Sequence, residues 1–240
     1  MQIFEAFNFR HQTRFFDHEK IPSKEFIENI LYKTHELVPS KQNLMPYAVK
    51  ILGPEHTEIK MDMYELASEV EYPDLNLRNK YRLDKIKSYE HNNIPYNNRF
   101  AKGNSQLFAP YILLLIPRKP VENTKLAKTY KKRGLAYADG IRLKKNLSNV
   151  EIGMFSVILS YVAIEEGLST SYTSCLNSSK LIEKYEWLKK ELNSPTLALS
   201  LGYKRSNVNS DNHLKRINRN LISGLKKPEK KQTFEWIWKH

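Results

Sequence analysis

From Tyr111 to Pro117 the chain reads YILLLIP, an apolar run without a polar break. It is far shorter than the roughly 20 residues a membrane-spanning helix needs, so it is expected to be a strand. A strand that is apolar on both faces has to be covered on both. The strand, taken over residues 109–117, is therefore expected at the centre of the fold with a layer on each side. A second constraint comes from Met154, Phe155, Val157, Ile158, Tyr161, Val162 and Ile164, a series that closes at Gly167. A helix that is apolar over most of its circumference is buried. Ser148-Asn149-Val150-Glu151 has capping-box spacing and is read as its start. Being both long and buried, this helix is expected to lie in the core of a dimer.

The other elements follow from period and punctuation. After Pro22, Ser23 caps a helix in which Phe26, Ile27, Ile30, Leu31 and Leu37 recur at helical spacing up to a stop at Pro39. Residues 47–52 alternate as a half-buried strand does and end at Gly53-Pro54. A further amphipathic helix is expected at about 178–192 and a strand at 196–203. Phe234, Trp236 and Trp238, spaced by two, suggest a last strand seeking a sheet, its own or a partner's. Residues 56–105 are polar, rich in Tyr, Asn and Lys, with a moderately amphipathic stretch at 59–70. Residues 119–145 are basic and partly helical. Without a repeat, a low-complexity linker or a composition break, the chain reads as one domain over residues 1–240. Within it, 56–105 is a variable insert or lid and 225–240 a C-terminal extension.

A length of 240 residues supports a substantial core without staples. Cys175 is the only cysteine, so no intrachain disulfide forms, which fits a reducing compartment. Residues 1–14 mix apolar with polar and charged side chains and do not read as a signal peptide. The expected location is the cytoplasm, with no membrane contact. Lys and Arg exceed Asp and Glu by 39 to 26, a formal charge of +13. That favours anionic partners: nucleic acid, a phosphorylated cofactor, an acidic substrate or an anionic membrane. The cations are spread along the chain instead of forming one arm, which weakens the nucleic-acid reading.

Four scattered segments carry the chemistry. Arg10-His11-Gln12-Thr13-Arg14 places a guanidinium and a short polar donor two residues apart, the types a phosphate needs. Pro39-Ser40-Lys41-Gln42-Asn43-Leu44-Met45-Pro46-Tyr47 joins the first helix to the first strand. Ala163-Ile164-Glu165-Glu166-Gly167-Leu168 ends the apolar helix and leads into residues 169–176. Leu199-Ser200-Leu201-Gly202-Tyr203 is followed about a dozen residues later by Lys215 and Arg216, with Arg219 just beyond. Each stretch alone also fits a plain loop or a solvated basic segment. In this order and spacing they resemble the nitroreductase family over most of residues 5–220, though poorly across 56–105.

That resemblance implies an α+β fold with a mainly antiparallel central sheet flanked by helices. It also implies an intertwined homodimer, with two FMN sites built from both chains and the C-terminal strand possibly exchanged. Arg10, His11 and Gln12 would face the phosphate, with Lys215 and Arg216 closing over it. Arg14 would lie at the N1/O2 edge of the flavin, where positive charge stabilises the reduced ring. Pro39, Ser40 and Asn43 would contact the flavin of the other subunit. Tyr172, Thr173, Ser174 and Cys175 would line one flavin face, with a backbone N–H near Ser174 aimed at N5. One of Lys102, Asn104 and Gln106 would touch the pyrimidine ring. The implied reaction is ping-pong: hydride from NADH or NADPH to flavin N5, then to a small-molecule electron acceptor such as a nitroaromatic, quinone or enone. No metal is called for.

The sequence departs from the family pattern at Met45 for the usual Gln, Tyr47 for the usual Trp, and Ser174 where several members have Glu. Those departures keep other readings open. Within the fold these are a flavin-fragmenting enzyme, as in dimethylbenzimidazole synthesis, and a reductive dehalogenase. From another class, the chain could be a non-catalytic flavin carrier or a nucleic-acid-binding module. For the last, Tyr81, Tyr89, Tyr96 and Phe100 lie among Lys and Arg as base-stacking side chains would.

Overall fold

The computed structural model describes residues 12–14, 16–40, 44–71, 104–118, 128–129, 132, 141–189 and 194–205. Arg10, His11, Asn43, Lys102, Lys215, Arg216, Arg219 and the aromatic tail at Phe234, Trp236 and Trp238 lie outside the described residues.

Four antiparallel strands form one sheet in the order β1-β2-β4-β3. They are β1, Tyr47–Leu52, β2, Tyr111–Pro117, β3, Ser169–Thr173, and β4, Leu197–Gly202. β2 runs between β1, with Tyr47 opposite Pro117, and β4, with Tyr111 opposite Leu201. Each of its residues is buried, as its uninterrupted apolar character requires. On one face Tyr111, Leu113, Leu115, Leu199 and Leu201 pack against Ile152, Phe155 and Leu159 of a long helix, α3, Ile141–Glu165, and Ile27 and Ile30 of α1, Lys24–Leu37. The residues alternating with these in β2 and β4 point to the opposite face. There, Ile59, Met63 and Tyr64 of α2, Thr57–Glu71, are buried together with Leu107 and Phe108 of the 3-10 turn Ser105–Phe108. The ring of Tyr64 stacks on that of Phe108 with centroids 4.9 Å apart.

α1 begins and ends as its sequence predicts. Ser23 accepts the Phe26 N–H through its hydroxyl at 3.2 Å, and the helix ends at Leu37, before Val38 and Pro39. Removing that cap by Ser23→Ala is expected to cost about 1 kcal/mol, read as a lowered urea midpoint with unchanged slope. Leu37, expected in the apolar stripe, is instead largely exposed.

Four further expectations need correction. α3 starts at Ile141, a full two turns before the proposed capping box. Ser148 and Glu151 are buried inside the helix and do not open it. Residues 178–192 do not make one helix: α4 covers Ser178–Lys184 and a 3-10 turn covers Glu186–Leu188, with the break at Tyr185. Residues 169–173, expected in a loop, are the edge strand β3. The polar stretch read as an insert begins with α2, which is core, as its buried Ile59, Met63, Tyr64 and Ala67 show. α3 itself is buried on one side only. Leu147–Glu165 has a mean hydropathy of 1.6, long and apolar enough to cross a membrane, and half of that stretch is buried in the fold.

Candidate functional site

Three segments far apart in sequence meet at the β3 edge of the sheet. The first is the strand-like stretch 12–14, which runs along β3, where the Thr13 N–H donates to Thr170 O at 3.2 Å. Gln12 adds a bidentate contact: its Nε2 donates to Tyr172 O at 2.6 Å, and its Oε1 accepts the Tyr172 N–H at 3.1 Å. An edge strand leaves a row of backbone groups unpaired, and here a side-chain amide takes the place of a neighbouring peptide.

The second segment is the 3-10 turn. Gln106 is 1% exposed, and its Oε1 accepts from an Arg14 terminal nitrogen at 2.5 Å. Its Nε2 donates to Asn104 Oδ1 at 3.0 Å and to Thr173 Oγ1. Its main-chain carbonyl accepts from Ser200 Oγ at 2.7 Å. The third segment is the end of β3, which supplies Thr173 and, beside Ser200 in the sheet register, Ser171. Ser171 Oγ is buried with no hydrogen-bond partner among the described residues.

Among the expected site residues, Gln12, Arg14, Asn104, Gln106, Tyr172 and Thr173 are thus brought together. Two of them act differently from expectation. Gln12 commits its carboxamide to the β3 backbone instead of presenting it to a phosphate. Tyr172 gives the cluster only its main chain, because successive side chains of a strand alternate between faces. Its ring turns toward α3, where the hydroxyl meets Ser160 Oγ and donates to Ser156 O at 3.0 Å. Ser174, exposed, and Cys175, half-buried, follow directly at the lip of the sheet.

Pro39 and Ser40 lie elsewhere. Ser40 Oγ accepts the Met45 N–H at 3.0 Å, and Arg118 Nε donates to Met45 O at 3.0 Å. These bonds hold Met45 at φ +43°, a left-handed conformation that is disfavoured for a side-chain-bearing residue and more so before a proline. Backbone held this way costs on the order of 1–3 kcal/mol and collects at functional turns. A cavity of about 550 Å³ opens beside it between α1 and β1, lined by Glu28, Tyr32, His35, Tyr47 and Arg118 among others. Burial, and then the Glu151 carboxylate, push the Tyr47 hydroxyl up to about 12. It therefore remains a phenol through the physiological range.

The turn and the Arg14 cluster lie at opposite edges of the sheet, the turn leading into β1 and the cluster built on β3; Thr173 is level with Ala198 and Leu114, three residues along β2 from the Pro117 that faces Tyr47. Three inter-strand spacings, about 14 Å, separate the edges. Sequence reading missed Lys60, which is 1% exposed on α2 and donates to the carbonyls just after the 3-10 turn. A lysine in an amphipathic helix reads as solvent-facing, so no local signal marks it.

The cluster's donor set suits the edge of a polar heterocycle. A guanidinium carries five N–H donors in a planar fork, so one bond to Gln106 orients Arg14 without exhausting it. Carboxamides and hydroxyls beside it offer both donors and acceptors to ring carbonyls and nitrogens.

Comparison with known proteins gives no match to a family model and none to a curated protein. Solved structures do match. A BluB-like flavoprotein from Clostridium difficile is similar at 17% identity and a TM-score of 0.53, over 87% of this chain and 93% of that one. A nitroreductase family protein from Streptococcus pneumoniae gives 16% identity and a TM-score of 0.53 over the same shares, 87% and 93%. A nitroreductase-like protein from Streptococcus mutans gives 15% and 0.51, again over 87% and 93%. The fold is nitroreductase-like: a mixed α and β architecture around an antiparallel four-stranded sheet.

Proposed function

We propose that the protein is an FMN-dependent oxidoreductase that passes hydride from NADH or NADPH to a small-molecule acceptor such as a nitroaromatic or quinone. The observation that carries this reading is the convergence of Arg14, Asn104, Gln106 and Thr173 from three separated segments, in a chain whose fold resembles that of nitroreductases. Bound FMN would supply the hydride-accepting N5 and the electron storage. Arg14, oriented by Gln106, holds positive charge where the pyrimidine edge of a reduced flavin gains negative charge. Main-chain groups at Ser174 and Cys175, which follow β3 at the lip of the sheet, would border the ring. Arg10, His11, Lys215 and Arg216 are proposed for the phosphate end, with Gln12 holding the start of that segment on β3. Freshly purified protein is expected to be yellow, to release FMN on denaturation, and to be bleached by NADPH and recoloured by nitroaromatic. A colourless preparation that takes up no added FMN would refute the reading.

A homodimer completes the site on this reading, bringing Pro39, Ser40 and Asn43 of a second copy to the Arg14 cluster. Two observations support it. The turn carrying Ser40 is on the wrong edge of its own sheet to join the cluster. In addition, α3 leaves Val150, Gly153, Met154, Val157 and Tyr161 on its outer side at helical spacing, with Val150 59% and Val157 50% exposed. α1 adds exposed Tyr32 and Leu37. A Cβ added at Gly153 would meet nothing within 4 Å. Mid-helix glycine costs about 0.5–1 kcal/mol relative to alanine, and among the described residues no close approach to Gly153 offsets that cost. A partner helix crossing closely at Gly153 would. Gly153→Ala is accordingly expected to raise the intrinsic stability of the chain while weakening the dimer, read by sedimentation at micromolar protein. Stronger or unchanged association would remove Gly153 from the crossing.

A second reading, flavin fragmentation with oxygen, is compatible with the similarity to the BluB-like flavoprotein. Reduced protein mixed with oxygen in stopped flow separates the two: full recovery of flavin absorbance supports the reductase, whereas loss of the ring chromophore supports fragmentation.

A further inference from the structure

Lys60 is one of the largest side chains fully enclosed among the described residues, and its hydrogen bonds go to the main chain beside the Arg14 cluster. It projects from α2, and its Nζ donates to Ala109 O at 3.0 Å and to Pro110 O at 2.7 Å. These carbonyls sit where the chain leaves the 3-10 turn for β2. Enclosing an amine and ordering its four methylenes is a costly way to satisfy two carbonyls. The return is rigidity in the segment that carries Gln106.

That segment is gripped from its other side as well. Ser200 Oγ donates to Gln106 O at 2.7 Å. The Pro110 ring lies so close to Gly202 that a Cβ there would meet Pro110 Cδ at 3.0 Å and Phe16 Cδ1 at 3.2 Å. With its ends fixed, the turn has one place to put the Gln106 carboxamide, and there Oε1 meets the Arg14 guanidinium. Arg14 is fixed at its other end too, because Gln12 and Thr13 are bonded to β3.

We propose that Lys60 is a positioning residue for the Arg14 cluster. By holding the Ala109 and Pro110 carbonyls it fixes the 3-10 turn, so that Gln106 orders the Arg14 guanidinium before a ligand arrives. This rests on the flavin reading for its consequence, tighter FMN binding, but not for the mechanical linkage itself. Preordering matters because a flexible guanidinium must lose its freedom on binding, which weakens the complex.

The test is a double-mutant cycle on FMN affinity, measured by flavin fluorescence quenching. Arg14→Ala is expected to weaken FMN about 10- to 100-fold, the range for losing a charge-assisted hydrogen bond. Lys60→Met is expected to weaken it about 10-fold in the natural background and less than about 2-fold on top of Arg14→Ala, where no guanidinium remains to be positioned. Equal factors in both backgrounds would overturn the proposal, since a purely structural lysine acts additively. A readout independent of flavin is the Arg14 Nε–Hε cross-peak of ¹⁵N-labelled apoprotein, identified by its loss in Arg14→Ala. It is expected to shift or broaden in Lys60→Met and in Gln106→Leu, and an unchanged peak in both would also overturn the proposal. Should the natural protein bind no FMN, the flavin reading fails and this cross-peak alone decides the role of Lys60. If Lys60→Met does not fold, Lys60→Gln, which keeps an amide donor, replaces it in both measurements.

Discussion

A Val157→Glu variant is expected to sediment as a monomer, to elute without flavin and to keep its helix content. Val157 is half exposed in the single chain, and Glu is at least as good a helix former as Val, so the change leaves the isolated fold unharmed. In an isologous dimer every contact occurs twice, so a change at one position is felt at two places in the interface. Each copy would then bring a carboxylate into an apolar contact, and an unpaired buried carboxylate costs several kcal/mol. The dimer dissociation constant should rise by at least about 10³-fold. On the proposed dimeric site the cofactor would be lost with the dimer, because Ser40 and its turn would come from the second chain. A Val157→Glu protein that remains a yellow dimer would place the subunit contact elsewhere. A yellow monomer would show that one chain holds the flavin alone.

Between pH 7 and pH 10 the natural protein should gain stability relative to Lys60→Met, by roughly 4 kcal/mol in all. Burial pulls the Lys60 ammonium down from 10.5 to about 7, with the Glu55 carboxylate opposing the shift. Because the folded-state value is the lower one, the unfolded chain binds the extra proton throughout this interval, and stability rises with pH. Below about pH 7 both states are protonated, and the full cost of the buried charge is present. A neutral amine still has two N–H groups, enough for the Ala109 and Pro110 carbonyls, so deprotonation removes the charge and keeps both bonds. The charged neighbours act in a different window. His18 is held at about 4 by burial, then by Lys60 and Arg205, with Asp17 opposing. Its linked loss of stability therefore falls between pH 6.5 and 4. Urea unfolding of both proteins at pH 7, 8, 9 and 10 gives the difference curve, and a flat one would show that Lys60 keeps its charge.

Much of the scaffold was legible in local pattern. The α1 boundaries followed from Ser23 and Pro39, β1 ended at Gly53, and the uninterrupted apolar character of β2 required the two covering layers that α1 and α3 on one side and α2 on the other provide. The errors share a cause. Ser148-Asn149-Val150-Glu151 has capping-box spacing, but Ser148 and Glu151 sit one turn apart inside a helix whose earlier residues are basic. Nothing local distinguishes an internal turn from a first one when the flanking charge suits either. Leu37 fits the apolar period of α1 but falls beyond the reach of the sheet. Residues 56–105 looked like an insert because their polar composition obscured the buried stripe of Ile59, Met63 and Ala67.

The candidate site was legible as a set of residue types and was misread in its geometry. Arg14, Gln106 and Thr173 were each singled out, but only the hydrogen bonds from Gln106 to Arg14 on one side and Thr173 on the other show that all three meet. Gln12 and Tyr172 were given ligand-facing roles that their positions redistribute, the first to the β3 backbone and the second to Ser160.

Alone, the sequence determined α1, β1, β2 and β4 and which strand is central, because those follow from caps, turns and hydrophobic period within a dozen residues. The tertiary structure decided which polar groups meet, that Lys60 is enclosed and bonded to two carbonyls, and that α3 keeps one apolar side outward. These depend on contacts between residues as far as 49 to 160 positions apart. The free energy of such contacts is set by desolvation and packing at the meeting point, which no stretch of chain carries by itself.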